Sequence, residues 1–104
     1  MTLTEFSDAL KAAIPVSYQS AAPAGVRPCV VWTAYGSRTL DGDDRTQTAI
    51  PKVQLDILTL SSLDPLLDTV TDVLFALELP YSVQDMSYDS EYGCFRTILQ
   101  TEVA

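Results

Sequence analysis

The residues able to do chemistry in this chain include carboxylates, serines and two cysteines; histidine is absent. Without imidazole, the usual acid–base catalyst at neutral pH and the commonest zinc ligand are both missing. Serines are plentiful, but none stands in a nucleophile-elbow pattern, and no histidine can serve one as a base. Asp43 and Asp44 form an adjacent pair that could exchange protons, yet neighbouring carboxylates in an Asp41-Gly42-Asp43-Asp44 tip are more often solvated turn residues. The same acids lack the alternation, central glycine and terminal glutamate of a calcium loop. Asp64, Asp68 and Asp72 recur every four residues, a spacing that suits an exposed acidic helix face better than a metal cage. The four glycines are scattered singly, so no loop cradles phosphate. The expectation is a protein without catalysis, metal or cofactor. Cys29 and Cys94 lie within apolar strand-like stretches, where buried thiols are expected rather than a disulfide or metal pair.

Charge narrows the partners. The formal net charge is −8, which repels nucleic-acid phosphates and makes DNA binding improbable. Asp64, Asp68, Asp72 and Glu78 sit in a segment with no basic residue, and from Tyr81 onward four carboxylates face Arg96 alone. No run of about 18 apolar residues spans a membrane. Met1-Thr2-Leu3-Thr4-Glu5 has neither the basic start nor the apolar run of a signal peptide, so the expected location is the cytoplasm in which the chain is made. The 104 residues are read as one domain, because halves would be too small to bury a core.

The element that must position these groups is Lys52-Val53-Gln54-Leu55-Asp56-Ile57-Leu58-Thr59-Leu60. Val53, Leu55, Ile57 and Thr59 alternate with Lys52, Gln54 and Asp56, predicting a half-buried strand of roughly 30 Å whose polar side is wet or meets a partner. A first helix is expected over about 3–14: Thr2 and Glu5 have capping-box spacing, Met1 and Phe6 form a hydrophobic staple, and Leu3, Phe6, Ala9, Leu10, Ala13 and Ile14 share one arc. Pro15 ends it. Val16 and Tyr18 are compatible with a short strand, and Cys29 to Tyr35 reads as a buried strand with Pro28 at its entrance. Ser37 to Ala49 has no periodic apolar face and is expected to be a mobile polar arm, either a tolerated loop or a segment that orders against a neighbour. The rarity of long structureless loops in compact domains favours the second.

A second helix is expected from an Asp64 N-cap and Pro65 to about Glu78, stopped by Pro80. Leu66, Leu67, Val70, Val73, Leu74 and Leu77 form its core arc. Phe75 and Leu79 fall on the acidic side. Either the helix end tips inward and both pack within the chain, or both form an apolar anchor in a polar rim. The tail, Tyr81–Tyr88 and Cys94–Val103, reads as a hairpin. The expected fold is α+β, an antiparallel or mixed sheet of about four strands with two helices on one face, in the order α-β-β-α-β-β.

The succession Ile14-Pro15-Val16-Ser17-Tyr18, Pro28-Cys29-Val30-Val31-Trp32, a polar arm, Pro51-Lys52-Val53-Gln54-Leu55-Asp56-Ile57-Leu58-Thr59 and an Asp-Pro-started helix resembles the small tail terminator, or head–tail joining, proteins of long-tailed bacteriophages. Leu58 and Leu60 depart from the polar or aromatic content expected there. The resemblance implies a homo-oligomeric ring, commonly six-fold, at the head-proximal end of the tail tube. Such a ring stops tube polymerisation, meets the tube protein and the head connector or stopper, and acts in the host cytoplasm and then the virion. It implies no cofactor, and DNA that passes without being bound. The expected interface residues are Asp41, Asp43, Asp44, Arg45, Gln54, Asp56, Phe75 and Leu79, with Asp64, Asp68 and Asp72 as a possible acidic lining of the bore. The alternative is a compact acidic inhibitor, a DNA mimic or immunity-type protein that occupies a basic nucleic-acid enzyme.

Overall fold

The computed structural model describes residues 1–40 and 48–104. The chain forms α1 (Leu3–Ala13), β1 (Ser17–Gln19), β2 (Cys29–Leu40), β3 (Thr48–Thr59), α2 (Leu66–Ala76), β4 (Tyr81–Asp89) and β5 (Cys94–Glu102). The five strands make one mixed sheet in the order β1-β2-β3-β5-β4. The α+β class and the two helices match expectation. The strand count does not: Ser17–Gln19 is a strand of its own, pairing in parallel with Val30–Trp32. Three residues carry almost no local strand signal, and this one exists because the chain after Pro15 is laid against β2.

α1 starts as its spacing predicts. Thr2 Oγ1 accepts from the Glu5 backbone N–H at 3.1 Å, and Glu5 Oε1 accepts from the Thr2 N–H at 3.0 Å. These two bonds satisfy two donors that a helix start leaves free, and the Thr2 hydrogen bonds hold the Glu5 carboxyl below its usual range. Phe6 and Leu10 are buried, Phe6 meeting Trp32 edge-on with ring centroids 5.5 Å apart.

The core is one apolar cluster on the helix side of the sheet. It takes Val30 and Trp32 from β2, Val53, Leu55 and Ile57 from β3, Leu99 from β5 and Val103 just beyond it. Phe6 and Leu10 from α1 and Leu66, Val70 and Leu74 from α2 close it. β3 is central because its alternation is two-sided: Val53, Leu55, Ile57 and Thr59 point into the core, while Lys52, Gln54, Asp56 and Leu58 are half-buried on the open face. β5 pairs with β3 from Lys52↔Glu102 to Thr59↔Phe95. Pro51 lies one residue beyond that ladder, where its carbonyl still accepts from the Val103 N–H at 2.9 Å, and on the other side it pairs with Ser37 of β2.

β2 and β3 run further than expected. Their register continues to Leu40↔Thr48, past a bulge between Ala34 and Gly36. The arm expected to be irregular over 37–49 is therefore a two-stranded ribbon at its base, and backbone pairing explains an extension that side-chain periodicity does not report. Among the described residues, no helix is long and apolar enough to cross a membrane.

Candidate assembly surfaces

The open face of the sheet carries two ion pairs. Asp56 accepts from Arg96 Nη2 at 2.6 Å and from Gln54 Nε2 at 3.0 Å. Asp56 faces Ile98 on β5, so Arg96 reaches it diagonally across the ladder. Arg38, on the ribbon, donates from Nε to both Glu102 oxygens at 3.0 Å, and its Nη2 lies 2.9 Å from Oε2. The bidentate contact holds the Glu102 carboxyl below the usual glutamate range and raises the Arg38 guanidinium. Gln54 and Asp56, expected at an interface, are thus tied to each other and to Arg96. The face presents these charge pairs with Thr33 and Gln100 around them.

α2 separates residues that the sequence grouped. Asp64 accepts from the Leu66 N–H at 2.9 Å, so it caps the first turn even though Pro65 occupies the N-cap position. Asp68 and Asp72 are exposed, and Phe75 is 82% exposed. Leu79 is not: it is only 5% exposed and belongs to the core. The helix ends at Ala76, two residues early, because Glu78 adopts φ 58°. The Leu79 N–H then bonds Leu74 O at 2.9 Å and the Glu78 N–H bonds Phe75 O at 3.0 Å, a Schellman stop that swings Leu79 inward. This is the correction to the anchor pair, since the helical wheel ceases to apply after Ala76. A glycine usually marks such a stop; Glu78 hides it.

The surface that the sequence did not single out is β4. Every residue from Tyr81 to Tyr88 is exposed, and among the described residues no β4 side chain enters the core. β4 pairs only with β5, leaving its other edge bare among the described residues. Tyr81, Val83, Met86 and Tyr88 pair with Thr101, Leu99, Thr97 and Phe95, all of the helix-facing set, so they form one apolar row. α2 packs toward β3 and does not cover them. Between α2 and the hairpin runs a groove of about 520 Å³, lined by Ile57, Leu63, Leu67, Met86, Tyr88 and Phe95, with Asp64 and Asp68 on its rim. Tyr88 and Phe95 meet at 5.0 Å. At the other end Phe75 and Tyr81 border a second recess. An exposed apolar band from Leu63 to Phe75, edged by carboxylates, has the anatomy of an interface. The visible signal was the Tyr-Ser-Val…Met-Ser-Tyr alternation; which side of it stays uncovered depends on where α2 lies.

β2 has a second bare edge. β1 pairs only as far as Trp32, and Thr33 to Thr39 are all exposed, bonded to β3 on one side alone among the described residues. In the strand order, this edge and β4 lie on opposite sides of the sheet.

Cys29 and Cys94 are free and buried, and burial raises the Cys29 thiol against the opposing pull of Arg27. Among the described residues, no group of three or more potential metal ligands is brought together. Asp41, Asp43, Asp44 and Arg45 lie outside the described residues.

Comparison with models of known protein families gives no match, and comparison with curated protein sequences gives none either.

Proposed function

We propose that this chain is a virion assembly protein of a long-tailed bacteriophage, forming a ring at the head-proximal end of the tail tube that ends tube growth and joins the head connector. The single observation that supports the reading beyond resemblance is the pair of dissimilar edges, bare among the described residues, on opposite sides of one sheet. A protomer with two different unsatisfied patches can associate head to tail, and head-to-tail contacts close into a ring when the rotation between copies divides a full turn. The acidic balance suits a bore that passes DNA without gripping it, with Asp68 and Asp72 as its exposed carboxylates. Catalysis and cofactors have no part in this role, and tube and connector subunits are its partners in the host cytoplasm and then the virion.

Electron microscopy of particles made without this protein tests the reading. Overlong or headless tails are expected, and normal virions would end it. The acidic stripe of α2 favours one other reading, a compact inhibitor of a basic nucleic-acid enzyme. That protein would be a monomer or dimer, held to its target by an interaction that rising salt weakens strongly.

A further inference from the structure

We infer that the bare edge of β2, Thr33 to Thr39, in one copy pairs with β4, Tyr81 to Asp89, of the next copy, so that the ring is a continuous sheet. The inference rests on the ring reading and specifies its contact. Four observations support this occupant. First, the two segments are strands that each pair on one side only among the described residues, so each presents an unmet row of backbone donors and acceptors. Second, their lengths are similar: seven exposed residues in β2 against eight in β4. Third, the charges do not conflict: β4 and its turn carry Asp85, Asp89 and Glu91 with no cation from Tyr81 to Phe95, whereas Thr33 to Thr39 has no carboxylate and one cation, Arg38, which is bonded to Glu102 of its own chain. Fourth, the edges lie on opposite sides of the same sheet, so joining one to the other repeats the same operation from copy to copy. Two copies of β4 paired with each other would instead bring Asp85 and Asp89 against their own kind. Natural sheets usually blunt a long edge with lysine, proline, a bulge or a covering loop; β4 has no lysine or proline and keeps an apolar row, and its bulge between Val83 and Asp85 is matched by one between Ala34 and Gly36 in β2.

Single-cysteine cross-linking tests the contact, because Cys29 and Cys94 are buried and leave the introduced thiols as the reactive ones. Ser37→Cys and Ser87→Cys chains, each checked for native circular dichroism, are treated with a flexible bis-maleimide separately and mixed, alone at high concentration and with assembled tail tubes. A cross-linked dimer is expected only in the mixture, and a ladder ending in a closed ring is expected for the double variant. Self-linking of Ser87→Cys would overturn the proposal in favour of a two-fold β4 contact. Rings without any cross-link would overturn edge pairing and leave the ring reading standing. A chain that stays solitary and ignores both tubes and connectors would remove both. As an independent arm, Met86→Lys places a charge on the exposed row; loss of rings with an unchanged unfolding curve is expected, and rings that persist would refute the contact.

Discussion

Replacing Phe75 by serine and Leu79 by alanine deletes two apolar side chains four residues apart, and the structure expects opposite outcomes. Phe75 is 82% exposed, so under a fifth of its surface is removed from water. Full burial of such a side chain contributes about 1.5–3 kcal/mol, which leaves about 0.3–0.5 kcal/mol for Phe75. Serine and phenylalanine have similar helix propensities, so the backbone adds little. Leu79 is 5% exposed and packs in the cluster with Leu74 and Val70, and truncating it leaves a cavity costing about 2–5 kcal/mol. With a urea slope of about 1.5 kcal/mol per molar, Leu79→Ala lowers the unfolding midpoint by roughly 2 M and Phe75→Ser by roughly 0.3 M. Assembly reverses the ranking. Phe75 borders the apolar band beside Tyr81, so Phe75→Ser weakens ring formation while the fold survives. Urea titrations paired with sedimentation of each variant at high concentration measure both. If Phe75→Ser unfolds as easily as Leu79→Ala, the exposed placement is wrong. If it assembles like the unaltered chain, the band is not the contact.

Thr2→Ala removes one half of the capping box and is expected to cost about 1 kcal/mol, read as a lower thermal midpoint, while Thr4→Ala on the exposed side leaves it almost unchanged. Glu5 and Glu102 both have lowered carboxyl values, so their stabilisation is present above the ordinary glutamate value of 4.5 and is lost as pH falls through their folded-state values. Urea midpoints should therefore decline on acidification below that value, and an Arg38→Ala chain should decline less steeply. Cys29 titrates the other way: its raised thiol favours the fold below the ordinary value of 9.0 and withdraws that support as pH climbs past it. A thiol reagent at mildly alkaline pH should label neither cysteine in the folded chain and both in urea; prompt labelling of the native protein would contradict the burial.

What this sequence determined by itself was whatever depends on neighbours a few residues away. The Thr2–Glu5 box, the apolar arc of α1, the Asp64-Pro65 start of α2 and the alternation of Val53, Leu55 and Ile57 are satisfied within one turn or one strand, so residue type and spacing suffice. The buried cysteines were legible from the apolar strand-like stretches around them. Only the tertiary structure decided the rest. β1 is a strand because β2 lies beside it, and the ribbon extends because Leu40 finds Thr48; both depend on hydrogen-bond partners remote in sequence. Leu79 turned inward through a left-handed Glu78, a conformation that no glycine announced. Hairpin signals marked β4 as a strand, but that its apolar row stays exposed follows from α2 lying toward β3. Periodicity reports which residues share a side; what covers that side is a matter of where distant elements pack.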